Sequence, residues 1–235
     1  FTTKIWFKTV NAVGANSADN GYYLYYDNAS AGSPPANANN VFDLYDNFAG
    51  ALNTASKWDV PTYPAALNGA SVTTSGGELV ISGTSPSLEW ASYGQLQSKT
   101  NFGTGYSVTS KFRIVTQSSD LEKWYKAKFG LGDSKLAIYS LNSSTKRVGW
   151  YDTTGGVWNQ VAASSISGQT FGWQSIKQTL TPDGVAKHYE NGVEIASRSG
   201  VSTTAVPAKL AYSPNAPDDA YEVHFDDFIL RKRVV

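Results

Sequence analysis

Clustered aromatic side chains are the residues of this chain best suited to contact a ligand. Sugar rings stack their apolar C–H faces on Trp and Tyr, while neighbouring amides and carboxylates bind the hydroxyl groups. Large aromatics also fill the cores of β-proteins. The candidates for stacking stand in polar surroundings, and they are Trp90, Tyr93, Trp124, Tyr125, Trp150, Tyr151 and Trp158.

Other kinds of chemistry have few residues to work with. The chain has no cysteine and only two histidines, His188 and His224, both in segments predicted to be strands. A histidine in a strand is more often packed or exposed than a general base. A retaining glycosidase needs two carboxylates about 5 Å apart, and the glutamates of this chain stand singly. Carboxylates distant in sequence can meet in a fold, so hydrolysis stays open as an alternative.

The elements that must position these residues are short segments, spaced about ten residues apart from Val41 onward. Gly, Asn and Asp turns separate them, which is typical of an antiparallel sandwich or barrel. Asn191-Gly192 is the strongest turn signal, because both residues tolerate the positive φ angles of a type I′ hairpin. Residues 121–128 are also compatible with a turn of helix. The predicted strands cover 78–82, 96–99, 106–115, 127–132, 135–140, 147–151, 172–180, 186–190, 193–198, 208–212 and 222–231.

Charge and composition narrow the class of partner. The 235 residues include 19 Lys and Arg and 19 Asp and Glu, so the formal net charge is zero. This balance argues against nucleic acid as the partner, and the apolar runs are too short to span a membrane. Glycine, uncharged polar residues and 14 Tyr are typical of a secreted β-protein, so we expect an extracellular location. The chain starts at Phe1 without a signal peptide, which indicates a mature or excised piece of a longer protein.

Several segments, in a fixed order, carry a resemblance to a known family. They are residues 42–48 with the following Trp58, 76–82, 102–108, 189–195 and 223–230. Together they resemble the concanavalin A-like, or laminin-G-like, lectins and glucanases. The resemblance implies an all-β fold, an antiparallel jelly-roll β-sandwich, and sugar binding as the commonest function. It also places Trp58 and Trp173 at packing positions of the family, so we expect both in the core.

The same resemblance implies a calcium site. In this family the ion often lies where the first strand of the sandwich meets the last, held by a carboxylate from each. On this chain Asp46 and Asp226 match those positions, with Asp227 and Asp43 in reserve. Oxygen ligands suit calcium, whereas a chain without Cys and with little His does not suit zinc. The alternative is that the acidic pair caps a turn or pairs with Lys and Arg, because buried carboxylates are costly unless paired.

The first forty residues are predicted to be a separate part of the chain. Residues 5–10 and 21–26 predict two strands, and residues 31–40 have the composition of a linker. This part resembles the second half of a small extracellular β-domain of unknown function. Half of such a domain exposes strand edges, so it must dock on the main domain or pair with another chain. We therefore expect an N-terminal β-hairpin extension at 1–40 and a sandwich at 41–235.

These observations favour a non-catalytic extracellular module for adhesion, which binds a polysaccharide or other glycan through aromatics and carries a structural calcium ion. One alternative is a structural component of an extracellular assembly such as a surface layer, filament or virus fibre, with self-assembly through the extension. Neighbouring domains of a longer parent chain are the other candidate partners. The last alternative is a glycoside hydrolase or polysaccharide lyase. The glucanase branch of the family uses a strand reading Glu-x-Asp-x-x-Glu, which this sequence does not contain, and no lyase pattern matches.

Overall fold

The computed structural model describes most of the chain after the N-terminal segment. The described residues are 7–9, 13–14, 16–18, 20–21, 37–61, 70–84, 94–116, 124–131, 137–141, 146–152, 157–164, 166, 171–215 and 219–232. The strands predicted at 5–10 and 21–26 lie outside these residues, apart from 7–9 and Gly21. The N-terminal extension and its boundary therefore stay predictions.

The described fold consists of two antiparallel sheets, which confirms the predicted all-β class. Every ladder between neighbouring strands is antiparallel. None of the described residues forms a helix long and apolar enough to cross a bilayer. After a 3-10 turn at Ala38–Asn40, the strands are β1 (Leu44–Asp46), β2 (Trp58–Asp59), β3 (Ser71–Ser75), β4 (Glu78–Thr84), β5 (Gly94–Phe102), β6 (Tyr106–Thr116), β7 (Trp124–Leu131), β8 (Ala137–Leu141), β9 (Lys146–Asp152), β10 (Val157–Ala163), β11 (Phe171–Leu180), β12 (Ala186–Glu190), β13 (Val193–Arg198), β14 (Val206–Asn215) and β15 (Ala220–Lys232).

The larger sheet is organised around its longest strand, β15. The strand order is β13-β12-β11-β6-β15-β4-β3. One edge of β15 pairs with β6, and the other edge pairs with β4 at 220–225 and with β1 at 228–230. The predicted meeting of the early acidic segment and the late acidic strand is thereby confirmed, because Asp46 stands opposite Phe228 in the ladder.

The smaller sheet has the order β10-β9-β8-β7-β14-β5-β2. Its strand β10 is not predicted from the sequence, because the polar Asn159 and Gln160 interrupt the apolar pattern. Its strand β7 includes residues 124–128, so the prediction of a helical turn there is wrong. Pairing with β8 and β14 on both edges satisfies the backbone of β7 as a strand.

Aromatic side chains fill the layer between the sheets. Trp58 of β2 is fully buried and meets Phe228 of β15 edge-on, with ring centroids 5.1 Å apart. Phe112 and Phe225, on neighbouring strands of the larger sheet, stack at 6.1 Å. The core assignment of Trp58 is therefore confirmed.

The core assignment of Trp173 is wrong. The ladder between β11 and β6 shifts register between Phe171 and Gln174, which breaks the alternation of faces at this point. Trp173 is consequently 36% exposed, and the guanidinium of Arg113 lies 4.8 Å from its ring centroid.

A bulge in β15 sets the position of Phe228. Asp226 pairs with Lys111 and Ile229 with Thr109, so two residues of β15 face a single residue of β6. Asp227 supplies the extra residue with a left-handed φ of 50°. The bulge resets the alternation, so that Phe225 and Phe228 both point into the core.

The hairpin between β12 and β13 confirms the predicted turn. Asn191 and Gly192 have φ angles of 50° and 87°, the pair of positive values that a type I′ turn requires.

Gly94 marks a close approach of the two sheets, and this leads to a first prediction. A Cβ built on Gly94 of β5 collides with Cγ2 of Ile81 on β4 of the other sheet. We expect Gly94→Ala to lower the free energy of unfolding by about 1–3 kcal/mol, because the packed core must shift. Urea unfolding measures this loss.

Gly172→Ala is the matched control. A Cβ at Gly172 meets no atom within 4 Å, so the free energy of unfolding of Gly172→Ala should stay the same or rise by a few tenths of a kcal/mol. A similar loss in both variants would show that the sheets are not in tight contact at Gly94.

Candidate functional site

One face of the smaller sheet points away from the core and carries polar residues; we call it the polar face. Along β14, Leu210 and Tyr212 belong to the hydrophobic core, so Lys209 between core residues lies on the polar face. Residues opposite each other in a ladder share a face. Gln97 stands opposite Lys209 and, with Gln95 two residues earlier, is on the polar face as well.

The described side chains of the polar face form a row of hydrogen-bonding groups. Gln95 and Lys209 are only 4% and 8% exposed, and Gln95 Nε2 donates to Gln97 Oε1 at 3.1 Å. Asp59 of β2 stands opposite Gln97 and pairs with Lys99 at 2.5 Å. Amide, ammonium and carboxylate groups therefore lie side by side on three adjacent strands.

The register of the ladders also shows which face of the smaller sheet each aromatic candidate of β9 and β10 occupies. Leu210 is linked through Phe129 and Ala137 to Trp150, each standing opposite the next across β14, β7, β8 and β9. Trp150 therefore occupies a position on the core face. Tyr151, one residue later, occupies a position on the polar face, and Trp158 of β10 stands directly opposite it.

The remaining aromatic candidates divide in the same way. Trp124 and Tyr125 are the first two residues of β7. Tyr125 lies an even number of residues before Phe129, so both take core-face positions on the strand. Trp124 therefore takes a polar-face position. Trp90 and Tyr93 lie outside the described residues. The part of all seven residues in binding stays a prediction, but the register brings Trp124, Tyr151 and Trp158 to one face.

Three of the predicted calcium ligands come together where β4 and β1 meet on the edge of β15, a place we call the strand junction. Asp46 is the ligand on β1. Its Oδ2 accepts a hydrogen bond from Trp58 Nε1 at 2.7 Å, and its Oδ1 accepts one from the Phe48 amide at 2.9 Å. Asp46 thus ties the larger sheet to Trp58 of the smaller one.

Asp226 and Asp227 complete the strand junction from β15. The Asp226 carboxylate accepts from the Asp227 amide at 2.7 Å, and Asp227 pairs with Lys111 at 2.5 Å. The fourth candidate, Asp43, lies farther along the ladder and accepts from the Lys232 amide at 2.9 Å.

The pKa values at the strand junction report how close the acids are. Burial, and then the charges of Asp227, Asp226 and Asp46, raise the pKa of Tyr45. Burial raises the pKa of Asp226 as well, and the hydrogen bond to Asp227 raises the pKa of Lys111. Within the described residues, however, no three Asp, Glu or His side chains are grouped closely enough to hold a metal ion.

A charged network on the outer face of the larger sheet is not apparent from the sequence. His224 Nδ1 contacts Glu78, and its Nε2 lies 2.6 Å from Glu222 Oε1. Arg113 donates to the same Glu78 at 2.8 Å. Burial raises the pKa of Glu78, but the hydrogen bonds from His224 and Arg113 outweigh it, so that its pKa lies below the ordinary value. The polar groups of this network are therefore hydrogen-bond partners of one another.

The other histidine, His188, is enclosed in the core. It is fully buried on β12, with its Nε2 3.9 Å from Glu190 Oε1. Glu190 is also buried, and its two carboxylate oxygens accept from the Ser164 hydroxyl at 2.9 and 3.1 Å. Burial lowers the pKa of His188 to about 3. His188 is therefore a neutral structural residue rather than a general base open to a substrate.

One comparison with known proteins concerns the N-terminal part of the chain. A family model described as a domain of unknown function (DUF2341) matches residues 2–61, which confirms the resemblance of the N-terminal part and extends it through β2. No curated protein matches the chain by sequence.

Solved structures resemble the sandwich. One, described with endo-acting O-glycanases that members of the human gut microbiota express to initiate mucin breakdown, has a TM-score of 0.60 at 13% identity, covering 82% of this chain and all of its own. The β-glucanase of Bacillus licheniformis has a TM-score of 0.55 at 15% identity over 81% of this chain and 98% of its own. The carbohydrate recognition domain of Emp46p has a TM-score of 0.51 at 12% identity over 76% and 89%. The fold is thus the concanavalin A-like jelly-roll sandwich, as predicted.

Burial of neutral His188 leads to a prediction about pH. The imidazole of His188 takes up a proton near pH 6.5 in the unfolded state but only near pH 3 in the folded state. The contribution of the neutral ring to the free energy of unfolding is therefore fully present above pH 6.5 and is lost as the pH falls. We expect the free energy of unfolding to fall by about 1 kcal/mol between pH 7 and 5.5, and by on the order of 5 kcal/mol near pH 3. Urea unfolding at a series of pH values measures the slope.

His188→Gln tests the source of this slope, because glutamine fills a similar volume and does not titrate. Its unfolding free energy should be lower at pH 7 but nearly constant down to pH 5.5. A variant that keeps the wild-type slope would exclude His188 as the source.

Proposed function

We propose that this protein is a non-catalytic, extracellular carbohydrate-binding module that binds a glycan on the polar face. The observation that carries the proposal is the ladder pairing of Tyr151 with Trp158 on the face that also holds Gln97. Aromatic rings offer stacking surfaces for sugar C–H faces, and amide groups offer partners for sugar oxygens. The named activities of the similar structures, carbohydrate recognition and glycan cleavage, support a sugar as the ligand.

Binding is favoured over hydrolysis by the carboxylates of the polar face. A retaining glycosidase places two carboxylates about 5 Å apart, with one protonated and the other free to attack. Among the described strand positions of this face, the only carboxylate is Asp59, and Lys99 neutralises it at 2.5 Å. This supports a module that holds its ligand without cleaving it.

Calcium at the strand junction forms part of the proposal. Asp226 and Asp227 offer the oxygen chemistry that calcium prefers. Against this, Lys111 already neutralises Asp227, and Trp58 and the Phe48 amide use both oxygens of Asp46. A calcium ion would therefore have to displace the Lys111 ammonium and would be held by Asp226 and Asp227.

The aromatic part of the proposal makes a prediction with a matched control. Trp158→Ala should weaken glycan binding about tenfold, because an aromatic contact contributes about 0.5–1.5 kcal/mol beyond the area that it buries. Trp173→Ala removes the same side chain from the outer face of the other sheet and should leave binding unchanged. A glycan array identifies a ligand, and calorimetric titration measures both variants.

Two results would count against the polar face as the site. One is equal binding by wild type and Trp158→Ala with a glycan found on the array. The other is an equal loss in Trp158→Ala and Trp173→Ala, which would indicate a general effect on the fold. Circular dichroism of each variant shows whether it is folded.

The proposed calcium site leads to a separate prediction about thermal stability. A ligand that binds only the native state raises the melting temperature by mass action, so millimolar calcium should raise it by several degrees and a chelator should reverse the rise. Lys111→Met removes the competing ammonium, and the rise should then be larger. If calcium leaves the melting temperature of both the wild type and Lys111→Met unchanged, the strand junction does not bind the ion, and its carboxylates are instead paired with Lys111.

A further inference from the structure

The turn between β12 and β13 contains a pair of residues that can react with each other. Asn191 and Gly192 are the two central residues of the type I′ turn, and both are exposed. In such a pair the backbone nitrogen of glycine can attack Cγ of the asparagine side chain, because glycine has no side chain of its own to hinder the approach. The sequence and the exposure of this turn therefore make it a candidate for deamidation.

Deamidation needs water and no cofactor. A bond forms between the nitrogen of Gly192 and Cγ of Asn191, and the bond from Cγ to Nδ2 breaks. The side-chain nitrogen leaves as ammonia, which carries the proton that the Gly192 nitrogen has lost. Water then opens the cyclic imide, and the product at position 191 is either aspartate or isoaspartate, whose main chain passes through the side-chain carbons.

The native backbone keeps the two reacting atoms apart. The φ angle of Asn191 is 50°, and a left-handed residue of this kind has a ψ angle of about +47°. This ψ places the nitrogen of the next residue on the far side of the Cα–C bond from Cβ, whereas closure of the ring requires it on the same side. The turn must therefore rotate out of its type I′ conformation before Asn191 can react.

Three hydrogen bonds to β11 hold Asn191 in the unreactive conformation. Its backbone N–H donates to the carbonyl of Ser175 at 2.7 Å, and its Oδ1 accepts from the amide of Ser175 at 2.9 Å. Its Nδ2 donates to Oε1 of Gln174 at 2.7 Å. Asn191 thus extends the ladder of β11 and β12 beyond its last pair, Ile176 with Glu190, and both polar atoms of its side chain are engaged.

We propose that Asn191 is a modification site, which deamidates when the β12–β13 hairpin opens away from β11. Local opening of an edge element costs less free energy than global unfolding, and β13 is an edge strand of the larger sheet. Isoaspartate lengthens the main chain of a two-residue turn, whose length fixes the register of the hairpin. Aspartate turns the donor that faces Gln174 into an acceptor. Modification of Asn191 therefore makes a transient opening permanent.

Peptide mapping by mass spectrometry measures the rate of deamidation at Asn191. The folded protein is compared with a synthetic peptide of residues 186–198 under the same neutral conditions. We expect a rate at least tenfold lower in the folded protein, because there the reaction depends on the small population of the open state. Gln174→Ala removes one of the three hydrogen bonds and should raise the rate in the folded protein about three- to tenfold.

Two further Asn-Gly pairs, Asn20-Gly21 and Asn68-Gly69, provide internal controls in the same digest. Their rates should be equal in wild type and Gln174→Ala, because the substitution removes a hydrogen bond of Asn191 alone among the three asparagines. Melting curves show that the variant is folded. Protein already deamidated at Asn191, separated by ion exchange, should melt at a lower temperature than the unmodified protein.

Several results would overturn the inference. Equal rates at Asn191 in the folded protein and the peptide would show that the native turn offers no barrier. No product at Asn191, or an unchanged rate there in Gln174→Ala, would show that the bonds to β11 do not control the reaction. An equal rise at all three Asn-Gly pairs would assign the effect to global unfolding, and an unchanged melting temperature of the deamidated protein would show that the hairpin tolerates the modification.

Discussion

The hydrogen bond between Asp46 and Trp58 is the interaction on which the closure of the sandwich depends. It joins β1 of the larger sheet to β2 of the smaller sheet through a charged acceptor, at 2.7 Å. The indole is fully buried against Phe228, and without Asp46 its N–H would lose its partner inside the core, which is costly. Because β2 is the edge strand beside β5, the same bond also fixes the end of the sheet that carries Gln95 and Gln97.

Local turn chemistry explains why much of the fold is predictable from the sequence. Asn191-Gly192 specifies a hairpin by itself, since few other residue pairs accept two positive φ angles. The acidic strand at 223–230 and the segment at 42–48 are recognisable because apolar residues flank their carboxylates. Trp173 could not be assigned in this way, because a bulge between residues 171 and 174 changes its face without leaving a signal in the sequence. Strand β10 was missed because amide residues interrupt its apolar pattern.

The candidate site depends on register rather than on any local pattern. The row that joins Leu210 to Trp150 crosses four strands, so no short window of sequence contains it. Aromatic residues adjacent in sequence, such as Trp150 and Tyr151, take opposite faces by the alternation of a strand.

The position of β15 has a consequence for biosynthesis. This strand follows all the other described strands in sequence, yet it lies in the interior of its sheet, between β6 on one side and β4 with β1 on the other. Until it is translated, the larger sheet consists of two separate ladders with uncovered apolar faces, and contacts such as that of Lys232 with Asp43, 189 residues apart, are missing. Long-range closure of this kind slows folding and prolongs the exposure of aggregation-prone edges. The larger sheet can therefore reach its native state only after β15 has been translated, and chaperones that hold unpaired strands would raise its yield.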